Sequence, residues 1–165
     1  PLAARIGKKG AFAAAMGAAA VLSLFFFRLE PSELGWLFAL QALVSVAAGV
    51  VLPLLWSMYA DIVDYEEYRS GRRPTGLIFS SSSMSQKLGW ALGGAVTGWL
   101  LAAFGYDQSA AVQSGEAIAG VRLMMSWFPA AGCLLAAAAV LFYPLGEKRM
   151  ERITTELNLR RKTNE

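Results

Sequence analysis

Residues 76–105 read GLIFSSSSMSQKLGWALGGAVTGWLLAAFG. The stretch is long enough to cross a membrane, which takes about 20 mostly apolar residues, yet Lys87 stands inside it. At about 1.5 Å of rise per residue, Lys87 lies roughly 15 Å from the start of such a helix, close to the bilayer midplane. A charge at that depth costs at least about 2.5–3.5 kcal/mol on the insertion scale. Its stem reaches only a few ångströms, too little to bring the ammonium to either surface. The question is what neutralises it.

The rest of the chain has the same character. Of 165 residues, 56% are hydrophobic and 16% charged, against about 25% charged in soluble domains. The charges sit in short knots between long apolar runs, the pattern of a polytopic membrane protein. An all-α membrane protein with four transmembrane helices is expected, at about 10–27, 34–59, 77–104 and 121–143. Residues 1–9 form a loop before them and 145–165 a tail. Pro53 and Pro129 fall inside two of the helices, where neighbours can re-satisfy the freed backbone groups. No signal peptide is visible, and the opening PLAARIGKKG, without Met and already basic, reads as the interior of a longer protein.

The composition also excludes classes of function. There is no histidine, and one cysteine, Cys133, lies in an apolar run. Zinc sites, Ser/His/Asp chemistry and a disulfide framework are ruled out, and no phosphate loop is present, so no enzyme reading has support. The net charge of +3 matters through where the cations fall, not as a nucleic-acid signal. Arg5, Lys8 and Lys9, then Arg69, Arg72 and Arg73, then the tail cations Lys148, Arg149, Arg152, Arg160, Arg161 and Lys162 all belong to one side; the other has Arg28 and little else before Arg122. Both termini and the middle loop are therefore expected in the cytoplasm. In the tail, Met150, Ile153 and Leu157 share a helical face among charges, which suits either a helix lying on the inner membrane surface or a solvated, partly disordered end.

A carboxylate is the usual partner for a buried lysine. Asp61, Asp64, Glu66 and Glu67 lie at the end of the second helix, Glu30, Glu33, Asp107 and Glu116 in the outer loops, and Glu147, Glu151, Glu156 and Glu165 in the tail. None is at midplane. Lys87 is then neutral through burial, or faces a water-filled cavity, or pairs with protein beyond this chain. Ser80, Ser83 and Lys87 repeat at helical spacing and share one face, continued by Ala91, Gly94 and Gly98. A stripe first polar and then small suits a cavity-lining helix packed closely on neighbours, and favours the last two explanations. The plainer reading of the serines is hydrogen bonding back to their own helix.

The second notable string is MYADIVDYEEYRSGRRPTGL, residues 58–77. Asp61 and Asp64 are three apart at a helix end, with Arg69, Arg72 and Arg73 just after. Two carboxylates alone are weak evidence for a metal. An interfacial cluster of ion pairs is the plain reading, and a latch that biases one conformational state is the sharper one.

Taken together, residues 60–106, ADIVDYEEYRSGRRPTGLIFSSSSMSQKLGWALGGAVTGWLLAAFGY, resemble the C-terminal signature of the glycoside–pentoside–hexuronide:cation symporters, the melibiose-permease-like branch of the major facilitator superfamily. The Asp-x-Val-Asp-Tyr-x-Glu block, the Gly-Arg-Arg loop and the serine-rich helix with its Lys-x-Gly step occur in order. PLAARIGKKG, GVRLMMSWFPAAG and LFYPLGEKRMERITTELNLRR resemble the flanking parts. The resemblance covers nearly the whole chain and is most specific at Asp61–Tyr65 and Ser80–Gly89. It implies that the four helices are the last four of twelve, in a carrier that couples sugar uptake to Na+ or H+ by alternating access, with no other cofactor. It implies that the cation-binding carboxylates lie in the missing N-terminal helices, and that Lys87 matches a lysine of the eleventh helix close to them. Ser82 and Ser83 match sugar-facing positions where relatives of melibiose permease carry longer Gln and Thr. The expected partners are a sugar or glycoside, the coupling cation, the lipid bilayer and those N-terminal helices, in the cell membrane. A lysolipid symporter of a related branch and a small four-helix scaffold are the competing functions.

Overall fold

The computed structural model describes residues 3–30 and 33–163 and is all-helical over them. Five helices follow in order: α1 (Ala3–Phe25), α2 (Leu34–Ser70), α3 (Thr75–Ala103), α4 (Gly115–Leu141) and α5 (Glu147–Thr163), with a single 3-10 turn at Phe26–Arg28 after α1. Glu165 lies outside the described residues. Each expected span falls on a helix, with different ends. α1 starts within residues 1–9 and is broken at Gly7 (φ 78°, ψ 160°), a conformation that L side chains rarely adopt. α2 runs 37 residues, roughly 55 Å at 1.5 Å per residue. That far exceeds a hydrocarbon core of about 30 Å, so its last turns, with Asp61, Asp64 and Arg69, project beyond any span.

The ends have local causes. Gly71 (φ 70°) closes α2 in the left-handed region, its N–H donating to Glu67 O at 2.9 Å. Ser114 caps α4, its Oγ accepting from Ala117 N at 3.1 Å, and Glu116 in the first turn complements the helix dipole.

α1 packs most extensively on α4 and then on α2. The seam uses small residues. Ala11, Ala19, Ala20 and Ser23 of α1 are buried, as are Ala117, Ser126 and Ala130 of α4, so the two backbones approach closely. At the end where the chain termini meet, Phe12, Met58 and Val140 form one apolar cluster. Leu145, Met150, Ile153 and Leu157 form a second, packed on Ile62, Tyr65 and Tyr68 of α2. Tyr143 touches both, and its hydroxyl donates to Met58 O at 3.3 Å.

The second cluster corrects the reading of the tail. α5 is an ordered helix, and its apolar stripe is taken by α2 rather than by lipid: Met150, Ile153 and Leu157 are 7%, 4% and 4% exposed. The reason is the length of α2, whose projecting turns offer Ile62, Tyr65 and Tyr68 as a dry surface at the height where the tail begins.

Three helical stretches have both the length and the apolar composition to cross a membrane among the described residues: Ile6–Arg28, Leu34–Ser70 and Gly115–Leu141. α3 has the length, at 29 residues, but its serines, five glycines and Lys87 dilute it. α3 buries no residue. It meets α2 through Phe79, stacked on Trp56 at 5.6 Å and edge-on to Tyr59 at 6.2 Å. At its other end the Phe104 ring lies over Gly120 of α4, where an added methyl would collide with the ring's near atoms.

Two outcomes are expected. Gly120→Ala should lower the stability of the protein by about 1–3 kcal/mol through overpacking, and Phe104→Ala should recover part of it, measured by thermal unfolding in detergent. Ile153→Ala should cost about 2–4 kcal/mol of docking, seen as faster tryptic cleavage within 148–162. Unchanged cleavage would show that the stripe does not hold the tail.

Candidate functional site

The residues singled out from the sequence lie in two places. The first is the polar stripe of α3. Ser80 Oγ donates to Leu77 O at 3.1 Å and Ser82 Oγ to Ile78 O at 2.7 Å, while Ser81 does the same to Ile78 O at 3.0 Å. These hydroxyls are committed to their own helix, which satisfies a polar group at no cost to packing. Ser83, half-buried, makes no hydrogen bond through its hydroxyl among the described residues. Lys87 is exposed near the middle of α3, and among the described residues no carboxylate reaches it.

The second place is the end where α1, α2 and α5 meet. The break at Gly7 turns Lys8 toward α2, where its Nζ donates to both oxygens of Asp61 at 2.8 and 2.7 Å. Asp61 is 13% exposed in its side chain, so this pair is better shielded than a surface pair, which contributes about 0–1 kcal/mol. At the end of α2 the left-handed Gly71 reverses the chain and brings Arg73 back along the helix's last turns. Arg73 Nη2 lies 3.2 Å from Asp64, and Nη1 donates to Glu67 Oε2 at 2.7 Å. Glu67 also accepts from Arg161 of the tail, at 2.7 Å from Nη2 and 3.3 Å from Nε. The Arg161 hydrogen bond, with the charges of Arg161 and Arg73, holds the Glu67 carboxyl below its ordinary value, against an opposing effect of partial burial.

Of the five residues marked for this network, Asp61, Asp64 and Arg73 are thus in ion pairs. Arg69 and Arg72 have no carboxylate partner among the described residues, and Arg72 contributes its backbone N–H to Ser70 Oγ. Asp61 and Asp64 each face a cation and not each other's ligand sphere, and among the described residues no group of three acidic, Cys or His side chains converges.

Sequence reasoning missed three members: Lys8 as the partner of Asp61, and Glu67 and Arg161 as a joint between loop and tail. The spacing of Asp64 and Glu67, three apart on a helix that outlasts its span, was the available signal. Two rings support the joint, with Arg149 over Tyr65 at 5.1 Å and Arg160 over Tyr68 at 5.0 Å. Beside the network an open cavity of about 1120 Å³ is lined by Gly7, Lys8, Asp61, Glu147, Arg149 and Thr154 among others. A smaller apolar one, about 440 Å³, lies at the opposite end between Phe26, Leu37, Val121 and Met125. Neither includes Lys87.

The chain is 34% identical over 162 residues to the glucuronide carrier protein homolog of Escherichia coli K12, covering 98% of this chain and 35% of the relative. It is 33% identical over 139 residues to the inner membrane symporter YicJ of the same organism, covering 84% and 30%. It is 43% identical over 98 residues to the isoprimeverose transporter of Lactiplantibacillus pentosus, covering 59% and 20%. The chain therefore spans about a third or less of these relatives' length. No solved structure matches it. The model of the family described as MFS/sugar transport protein matches residues 1–147, and the chain belongs to that family of transporters, not enzymes.

Proposed function

We propose that this chain is the C-terminal part of a sugar or glycoside:cation symporter, driven by Na+ or H+, with α1 to α4 as its last four membrane helices and both termini in the cytoplasm. α3 is the fourth span on this reading. Its poor hydropathy is that of a helix sheltered by other helices and facing water on one side, since ionisable residues within a span face a bundle interior or a cavity. Relatives named for a glucuronide, for isoprimeverose and as a symporter support the substrate class.

The observation that carries the reading is Lys87: an exposed ammonium halfway along a helix that buries nothing, with no carboxylate in reach among the described residues. A lysine has only donors and cannot ligate a cation. Its role is electrostatic. On the central cavity it faces the cation-site carboxylates of the N-terminal half and keeps them ionised once the cation has left, by lowering their pKa. Ser82 and Ser83 take the sugar-facing positions that the resemblance implies, and Ser80 shares the face of Ser83 and Lys87. The pairs of Asp61, Asp64 and Arg73, with Arg69 and Arg72 beside them, act as a cytoplasmic gate that holds one state of the alternating-access cycle.

In the complete transporter, Lys87→Leu should insert normally while coupled uptake falls roughly tenfold or more, because each unit by which a site carboxylate's pKa climbs above the ambient pH costs about tenfold in ionised site. Lys87→Arg should rescue only in part, since a planar fork is not a compact point charge. Near-normal cation-coupled uptake in a well-expressed Lys87→Met variant would refute the role. Vesicles holding this chain alone should show no cation-dependent sugar uptake, because the substrate site of such folds forms between two repeats.

A further inference from the structure

Glu67 receives more charge than any other carboxylate in the described residues. Arg73 reaches it from the α2–α3 connection, and Arg161 reaches it from the far end of the tail, 94 residues away in sequence. Its side chain is 17% exposed, against 48% and 47% for the two arginines, so the carboxylate is the fixed member and the arginines are the arms. Arg73 meets Asp64 with its other terminal nitrogen. The result is one continuous chain of charges, Asp64–Arg73–Glu67–Arg161. Asp64 and Glu67 sit three apart on α2, and a guanidinium can span both only while Gly71 folds the connection back.

The tail's grip has the same address. Met150, Ile153 and Leu157 bury their side chains against Ile62, Tyr65 and Tyr68, and Arg160 lies on the Tyr68 ring one residue from Glu67. Leu157 and Arg161 are four apart, so the last buried residue and the ionic contact lie on one face of α5. Apolar docking supplies attraction along the helix, while the Glu67 contact fixes its far end. A tail held only by its apolar stripe is able to slide, because hydrophobic contact is non-directional, whereas a guanidinium–carboxylate contact through two nitrogens sets a register.

We propose, on the gate reading given above, that Glu67 is a positioning residue of the cytoplasmic gate: its carboxylate holds Arg73 against Asp64 and ties the tail helix to the same joint, so that gate and tail move together. Removing the charge at Glu67 frees both arms at once. Removing Arg161 frees only the tail.

The test uses the complete transporter in vesicles, with turnover per inserted protein, KM and tryptic release of the tail as readouts. Glu67→Gln should lower turnover about fivefold or more, the lower end of coupling between linked sites, with KM moved less than about twofold, and it should speed tail release. Arg161→Gln should speed tail release to the same degree with a smaller loss of turnover. The exchange Glu67→Arg with Arg161→Glu should protect the tail again while turnover stays low, because two guanidinium groups then face each other at the joint. Glu67→Asp, which keeps the charge on a shorter arm, should give intermediate turnover and serves if Glu67→Gln fails to insert. Full recovery of turnover in the exchanged pair would mean that Glu67 acts through the tail alone and would overturn the positioning role, as would unchanged turnover in Glu67→Gln. Asp64→Asn separates the two levels. If it slows turnover while Glu67→Gln does not, only the Glu67 inference falls. If it has no effect, the gate reading falls.

Discussion

The close contact of α1 and α4 is what the remaining architecture hangs from. In lipid there is little hydrophobic gain from bringing two apolar helices together, so they associate where backbones can approach. Alanines at 11, 19 and 20 and Ser23 on one side, with Ala117, Ser126 and Ala130 on the other, remove the side chains that would hold them apart. α2 then leans on α1. The projecting end of α2 becomes the platform for the tail, and the break at Gly7 becomes the elbow that delivers Lys8 to Asp61.

Charge is distributed by the same logic. Where helices extend past the apolar zone, each of Asp61, Asp64 and Glu67 finds a cation close by. Where a cation sits deep along a helix, as Lys87 does, none of the described carboxylates is near it. The first arrangement is self-contained. On the function proposed above, the second is completed by helices outside this chain, which spans about a third of the relatives' length.

Much of this was legible in the residues. Apolar runs of membrane length marked the four long helices, because hydropathy over about 20 residues is a strong signal, and the Asp61–Tyr65 and Ser80–Gly89 strings pointed to the family that the comparison shows. Composition was a poorer guide to α3, where glycine, serine and one lysine offset its apolar residues. The tail misled for a different reason. An amphipathic stripe states that a helix has an apolar face, not what covers it, and only the overrun of α2 decides that Ile62, Tyr65 and Tyr68 do so. Long-range pairs such as Lys8–Asp61 and Glu67–Arg161 depend on a kink and a docked helix, which no local pattern encodes.

The thin attachment of α3 bears on how such a protein is made. With an aromatic stack near one end, a ring over a glycine at the other and a lysine between them, α3 is the one of the four long helices without a stretch apolar enough to enter lipid on its own merits. On the membrane reading, the cost of Lys87 is offset only by helices already in place. Within this chain α1 and α2 precede α3 and emerge first in synthesis. On that reading α3 meets α2 first, through Phe79, and its far end is covered only once α4 places Gly120 under the Phe104 ring.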